Sequence, residues 1–302
     1  MSEIIVHHSI SDLYKTLGLP HSGSIDFTIQ SIPDIHPQLP YTSPVLQANY
    51  FSFILTNEGS GTYYLDDNKF PFASKSFYFT NPGHVKSYEL QESKEALIIT
   101  LSDTFLQENV QFEIFEEFPF LLAEKSPPYA LSAGDFEEFD TLYQQILREF
   151  NTDSVYKNKI LGNLFTVLLI KLKEKFWSAY NPIEEGNRDS QIVKSFKKQL
   201  EKAFTSILDD DANDVKLQAQ YFAEKLNLHP NYLNSVIKSK TDRTVNDWVS
   251  KRTLSLAKTL LLNTSLSAKE IAYKLGFSES THFGRFFKKH TNLSPNAFRK
   301  EG

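Results

Sequence analysis

From residue 24 to residue 101 the apolar positions fall in short runs rich in β-branched and aromatic side chains: SIDFTIQSI, NYFSFILTN, GTYYLDD, KSFYFT, VKSYEL and ALIITLS. Asn57-Glu58-Gly59-Ser60-Gly61, Asp66-Asp67-Asn68 and Asn81-Pro82-Gly83 separate them. Turn formers recurring every roughly 8 to 12 residues predict an all-β barrel or sandwich. At Ala133 the period lengthens. Phe136, Phe139, Leu142, Tyr143, Ile146, Leu147 and Phe150 recur every third or fourth position, which predicts an amphipathic helix over 133–150. Val155 to Tyr180 is apolar around most of its circumference near Leu161, Leu164, Phe165, Leu168, Leu169 and Leu172. That is more than packing on one small barrel needs, so this helix is expected to face a partner. Asn181-Pro182-Ile183-Glu184-Glu185-Gly186-Asn187 then breaks the helical pattern and marks a linker over 181–189. The rest reads as helical, so the chain divides into 1–132, 133–180, the linker 181–189, and 190–302, an α+β organisation.

Within the last third one unit is written twice, as FAEKLNLHPNYLNSVIKSKTDRT from Phe222 and IAYKLGFSESTHFGRFFKKHTNLS from Ile271. Ala223 and Ala272, Leu226 and Leu275, and Asn227 and Gly276 lie 49 apart. Leu233 and Phe283, Ile237 and Phe287, Lys238 and Lys288, and Asp242 and Asn292 lie 50 apart, so the second copy holds one extra turn residue. Each copy sets a small alanine on a helix, then a residue suited to left-handed backbone, then a second helix with apolar docking positions. Leu233, Val236 and Ile237, or Phe283, Phe286 and Phe287, anchor that second helix and leave its outer face free to enter a major groove. This is the helix-turn-helix arrangement. Val245 to Asn263 joins the copies as a predicted helix of about 27 Å, comparable to a duplex turn of ~34 Å. Thr244 with Asp247, Ser267 with Glu270, and Ser294-Pro295 mark three helix starts.

Charge sharpens this picture. The net charge of −5 averages 15 Lys+Arg against 6 Asp+Glu over 215–302, or +9, and 17 against 31 over 1–214, or −14. A basic end on an acidic chain points to a polyanionic partner. With 40% hydrophobic and 23% charged residues, and 25 Phe and 14 Tyr, a packed core is expected. There is no cysteine, which excludes a disulfide scaffold, a thiol nucleophile and cysteine-ligated zinc. His282 and His290, eight apart without cysteines, are expected to pack or touch phosphates rather than hold zinc. MSEIIVHHSI lacks the marks of a signal peptide, and the most apolar stretch, Ile160 to Ile170, falls short of the ~18–20 residues of a membrane span. A cytoplasmic protein without a membrane segment is expected.

Ala223, Asn227, Leu233 and Lys238, then Trp248, Arg252, Ala257 and Leu260-Leu261, then Glu270-Ile271-Ala272, Leu275-Gly276-Phe277, Phe283, Phe287-Lys288-Lys289, Ser294-Pro295 and Phe298-Arg299 closely resemble the AraC/XylS family of bacterial transcriptional regulators. The resemblance covers about the last ninety residues. The chain departs from the family pattern with Asp242 and Asn292 where glycine is usual, both tolerant of left-handed backbone, and with Gly284 where Ser or Thr is frequent. The resemblance implies binding of promoter DNA. Matched positions are Asn231, Asn234 and Ser235 in the first copy, with Lys238 on a phosphate, and Ser280, Thr281 and Arg285 in the second, with Lys288 and Lys289 near the backbone. Asn234 can pair bidentately with adenine, and Arg285 with guanine or with a phosphate. The N-termini of both second helices would add N–H donors for phosphates. Trp248 and Arg252 match structural positions, in packing or an internal ion pair.

The strand-rich front more loosely resembles the cupin-type barrel of such regulators, which gives a cupin-like β-barrel followed by helices ahead of an all-α domain of two helix-turn-helix units. His36 and His84 are its only histidines between Ser24 and Leu131, too few for a cupin metal centre, so neither metal nor cofactor nor catalytic residue is expected. His84 is expected in a structural or effector contact. A barrel can hold a small effector, with Tyr50, Tyr63, Tyr64, Tyr78 and Tyr88 as unranked wall candidates. The helices 133–150 and 154–180 resemble family dimerisation helices and imply a homodimer, with RNA polymerase as a possible further partner. Three readings stay open: an effector-controlled regulator, a regulator whose barrel serves only dimerisation or protein contacts, and a cupin enzyme carrying a DNA-binding appendage.

Overall fold

The computed structural model describes residues 4–21, 23–66, 68–110, 114–123, 126–178, 188–208 and 217–301. Two compact units result, 1–187 with 240–242, and 188–239 with 243–302. The predicted linker lies outside the described residues except for Arg188 and Asp189, which open a helix.

The first unit carries a mixed sheet of nine strands among the described residues: β1 (Ile5–His7), β2 (Phe27–Ser31), β3 (Tyr41–Thr42), β4 (Leu46–Ala48), β5 (Phe51–Leu65), β6 (Asn68–Phe72), β7 (Ser76–Thr80), β8 (Val85–Leu101) and β9 (Tyr129–Ala130). Helices α1 (Ile10–Thr16), α2 (Ile32–Ile35), α3 (Asp103–Asn109), α4 (Ile114–Glu117), α5 (Ala133–Phe150) and α6 (Lys157–Phe176) complete it. The main hydrogen-bonded path runs β1-β4-β8-β5-β7-β9, with β2 and β3 also on β8 and β6 on β5.

Four expected strands prove to be two. NYFSFILTN and GTYYLDD fuse into β5, and VKSYEL and ALIITLS into β8, because Asn57 to Gly61 is a bulged stretch of ladder rather than a turn. Register shifts lie between Thr56 and Gly61, where the strands approach closely. A Cβ on Gly59 would sit 2.9 Å from the Glu92 carbonyl oxygen, and one on Gly61 only 2.2 Å from that of Glu89. Glycine here admits a neighbouring backbone to a bulge. The turn signal at Asp66 is a real reversal between β5 and β6, with Asp66 at φ 50°.

Alternation along the strands gives the sheet two different faces. Phe27, Ile29, Phe51, Phe53, Leu55, Phe77, Phe79, Ile99 and Leu101 join one core with α3, α5 and α6. Phe53 meets Phe165 edge to face at 5.0 Å, and Phe77 stacks on Phe139 at 5.9 Å. Helix α5 has the expected bounds. The apolar girth of α6 serves this core: Leu161, Phe165, Leu168, Leu169 and Leu172 are buried within the chain, which corrects the expectation that they face a partner. A narrower stripe stays outside, with Ile160, Val167 and Ile170 at 37%, 40% and 49% exposure.

The second unit is helical: α7 (Arg188–Leu208), α8 (Ala219–Lys225), α9 (Pro230–Thr241), α10 (Val245–Asn263), α11 (Ala268–Lys274), α12 (Ser280–Thr291) and α13 (Pro295–Glu301). Its core is built from Phe196, Leu200 and Phe204 of α7, Phe222 and Ala223 of α8, Leu233, Val236 and Ile237 of α9, Trp248, Leu256 and Leu260 of α10, and Ala272, Phe283 and Phe287 behind them. Among the described residues no helix is long and apolar enough to cross a membrane.

Candidate functional site

Helices α8 and α9 form the first helix-turn-helix, and α11 and α12 the second. The connecting stretch is four residues in the first, 226–229, and five in the second, 275–279, which accounts for the change of offset from 49 to 50. Asn227 and Gly276 adopt φ of 53° and 80°, the left-handed backbone that reverses the chain. Asp242 and Asn292 close the second helices at φ 55° and 63°, doing the work of the family's usual glycine. Capping boxes at Thr244/Asp247 and Ser267/Glu270 start α10 and α11, and Ser294 Oγ accepts the Ala297 N–H at the head of α13. Each is a local signal read correctly from the residues.

The docking residues are buried as their spacing requires: Leu233, Val236 and Ile237 on α9, and Phe283 and Phe287 on α12, with Phe286 half-buried. The opposite face of α9 exposes Asn231, Ser235 and Lys238, and that of α12 exposes Thr281, Arg285, Lys288 and Lys289. Ser280 and Asn234 are half-buried. At Gly284 an added Cβ would meet no atom within 4 Å, so the outer face is open there. His282 and His290 are both exposed. His290 lies against Phe286 at 4.8 Å, and burial together with the Lys289 ammonium holds its imidazole below the usual histidine range.

Asn234 differs from a plain surface reader. Its Oδ1 accepts the Val245 N–H at 3.1 Å and so satisfies an N-terminal donor of α10. Asn234→Ala is therefore expected to lower the stability of this unit by about 1 kcal/mol in chemical denaturation, the cost of a lost helix-end bond. An unchanged midpoint would mean that the bond contributes nothing. The two reading helices start differently: at the head of α9 the Asn231 N–H donates to His229 Nδ1 at 3.3 Å. Glu279 precedes α12 without a side-chain cap bond, and its carboxylate accepts instead from the Thr281 hydroxyl at 2.9 Å.

Between α7 and α10 lies a buried charge pair. Arg252 Nε and Nη2 donate to Glu201 Oε2 at 3.2 and 3.0 Å, and the guanidinium lies 5.4 Å from the Phe204 ring centre. The Lys197 ammonium lies 4.6 Å and the Arg243 guanidinium 5.4 Å from the Trp248 ring centre. Both expected structural positions are structural. The Glu201 partner of Arg252 was not legible in the sequence, because α7 precedes the repeat and carries no motif of its own.

The sheet unit holds a separate, partly open cavity. Tyr50, Tyr63, Tyr78 and Tyr88 line it, four of the five wall candidates, whereas Tyr64 lies outside and donates to Glu89 Oε1 at 3.2 Å. His36 is at the wall with Nε2 2.8 Å from the Tyr88 hydroxyl. His84 pairs with Asp66 at 2.7 Å beside the β5–β6 reversal. Lys86, which sequence reasoning passed over, also lines the cavity, and burial pushes its ammonium down to about 7.

Comparison with known proteins places this geometry. A profile described as a helix-turn-helix domain matches residues 222–301. The Msm operon regulatory protein of Streptococcus mutans is 31% identical over 159 residues, covering 52% of this chain and 53% of that protein. An HTH-type transcriptional regulator from the cgkA 5' region of Pseudoalteromonas carrageenovora is 30% identical over 117 residues, 39% of this chain and 68% of that one. The arabinose operon regulatory protein of Escherichia coli is 24% identical over 161 residues, covering 53% and 51%. The chain belongs to the AraC/XylS family of helix-turn-helix transcriptional regulators. It spans about half, or less, of the length of the first curated relatives it matches.

Proposed function

We propose that this chain is a sequence-specific DNA-binding transcriptional regulator that works in the cytoplasm, with residues 190–302 reading promoter DNA and the cavity of 1–132 taking a small effector. One observation carries the DNA reading: two helix-turn-helix units on one core, each with a left-handed turn residue and an exposed, basic outer face on its second helix. Asn231, Ser235, Ser280, Thr281 and Arg285 meet base edges, while Lys238, Lys288 and Lys289 meet phosphates. Asn234 contributes through its amide nitrogen, since its oxygen serves α10. No catalytic residue is assigned. The stripe of Ile160, Val167 and Ile170, with 133–180 as the dimerisation segment, supports a homodimer that presents two double readers to a repeated operator. RNA polymerase is the further partner this role implies.

The test is equilibrium binding of the full chain to its own upstream DNA beside a scrambled duplex. Arg285→Ala and Asn231→Ala should each weaken the specific complex about 10- to 100-fold and leave the scrambled one nearly unchanged. Equal affinity for both duplexes at every salt concentration would remove the reading. A regulator without a ligand, its sheet serving only assembly, is separated from the effector-controlled form by saturable stabilisation with a small molecule.

A further inference from the structure

The cavity wall is chemically lopsided. The strand register aligns Thr28 with Thr100, Thr100 with Ser52, and Ser52 with Thr80, so four neighbouring strands place a row of hydroxyl side chains across one face of the sheet. All four are buried, and Ser52, Thr80 and Thr100 line the cavity. The row ends at Lys86, whose Nζ donates to Thr80 Oγ1 at 2.8 Å and stands 5.0 Å from the Tyr50 ring centre. Lys86 is only 8% exposed. Among the described residues no Asp or Glu lines the cavity and none pairs with this ammonium. Elsewhere the wall is mostly aliphatic and aromatic, from Leu13 of α1 to Ile54, Leu90 and Ile98 of the sheet, with Gln30, His36 and the tyrosines as its other polar positions. The Tyr63 hydroxyl is buried there with no hydrogen-bond partner among the described residues.

A buried cation without a counter-charge is unfavourable, and a chain with nothing to gain from it would carry an apolar side chain in its place. Here the ammonium has two donor positions left after Thr80, beside hydroxyls that can also donate. Such a donor-rich corner suits an acceptor-only group. Its single positive charge matches one negative charge, and the largely aliphatic and aromatic remainder matches a hydrocarbon body. Building on the reading that the sheet unit takes a small effector, we propose that the cavity binds an organic monocarboxylate with an apolar body, its carboxylate held by Lys86 and the Thr80–Ser52–Thr100 hydroxyl row. Lys86 then sets which ligands the cavity accepts: an anionic head is admitted, a cationic one rejected, and a neutral one bound only through its body.

The experiment is calorimetric titration of the full chain with three probes sharing one body: 3-phenylpropionate, 3-phenylpropanol and 3-phenylpropylamine. The carboxylate should bind at least about tenfold more tightly than the alcohol, the scale of a charge-assisted hydrogen bond in a desolvated site, and the amine should not bind. Lys86→Met should abolish the preference while leaving the affinity for the alcohol unchanged. Thr80→Val, which keeps the ammonium, should weaken the carboxylate several-fold and serves if Lys86→Met does not fold. An alcohol that binds as well as the carboxylate overturns the anionic class and leaves an effector cavity. A preference that survives Lys86→Met puts the anion elsewhere and overturns the site. Failure of all three probes to bind overturns the monocarboxylate site, whereas the effector reading is judged by saturable stabilisation with a small molecule and the DNA reading by its own binding measurement.

Discussion

Replacing Glu201 by alanine is expected to destabilise the helical unit by about 3–5 kcal/mol, because it leaves the Arg252 guanidinium buried without its carboxylate. Arg252 is 1% exposed, and two of its N–H groups donate to the same Glu201 oxygen. In urea this is a large shift of the transition midpoint with an unchanged slope. Glu201→Leu combined with Arg252→Met removes both charges and should recover most of the loss, since replacing a whole buried pair with apolar groups is often neutral or better. If the single variant unfolds at the wild-type midpoint, solvent reaches the pair and the packing account of α7 against α10 is wrong. The pair ties the helix that precedes the repeat to the rod joining its copies, so the same variant should also weaken DNA binding, through lost order rather than lost contacts.

The second large effect is on salt dependence. A region of charge +9 displaces condensed counterions when it binds a duplex. If six or more phosphates are met, affinity should fall by about 10³-fold or more between 50 and 200 mM salt. Lys238, Lys288 and Lys289 are exposed near the ends of the two reading helices, and replacing each by alanine should lower the slope of log K against log salt by about 1. Those losses should be alike for specific and scrambled duplexes, in contrast to Arg285→Ala, which should discriminate between them. A triple lysine variant with the wild-type slope would mean that these side chains do not meet phosphates.

What was legible in the sequence was local. Asn227, Gly276, Asp242 and Asn292 declare left-handed backbone by residue type, capping pairs mark helix starts within three residues, and α10 runs from Val245 to Asn263 as its apolar spacing indicates. What escaped depends on pairing across long separations. Gly59 and Gly61 read as a turn because the carbonyls that approach them, from Glu92 and Glu89, are some thirty positions away along the chain. Lys86 escaped for the same reason. It lies in phase with Tyr88 and Leu90 along β8, and all three line the cavity, but which phase faces inward is fixed only by the register with β5. An inward lysine among tyrosine and leucine at period two is a signal that could have been found. Asn234 shows the converse, a side chain of the right type on the reading face whose oxygen is engaged by a helix end eleven residues on.

The central claim is that one chain reads two successive stretches of duplex with α9 and α12. Methylation interference on a fragment selected by the full protein from genomic DNA tests it most directly. The account predicts two major-groove patches about one helical turn, or ~10 base pairs, apart for each protomer, one erased by Asn231→Ala with Ser235→Ala and the other by Arg285→Ala with Thr281→Ala. A single patch lost with either pair of substitutions, or retention of unrelated fragments as readily as any selected one, would contradict it.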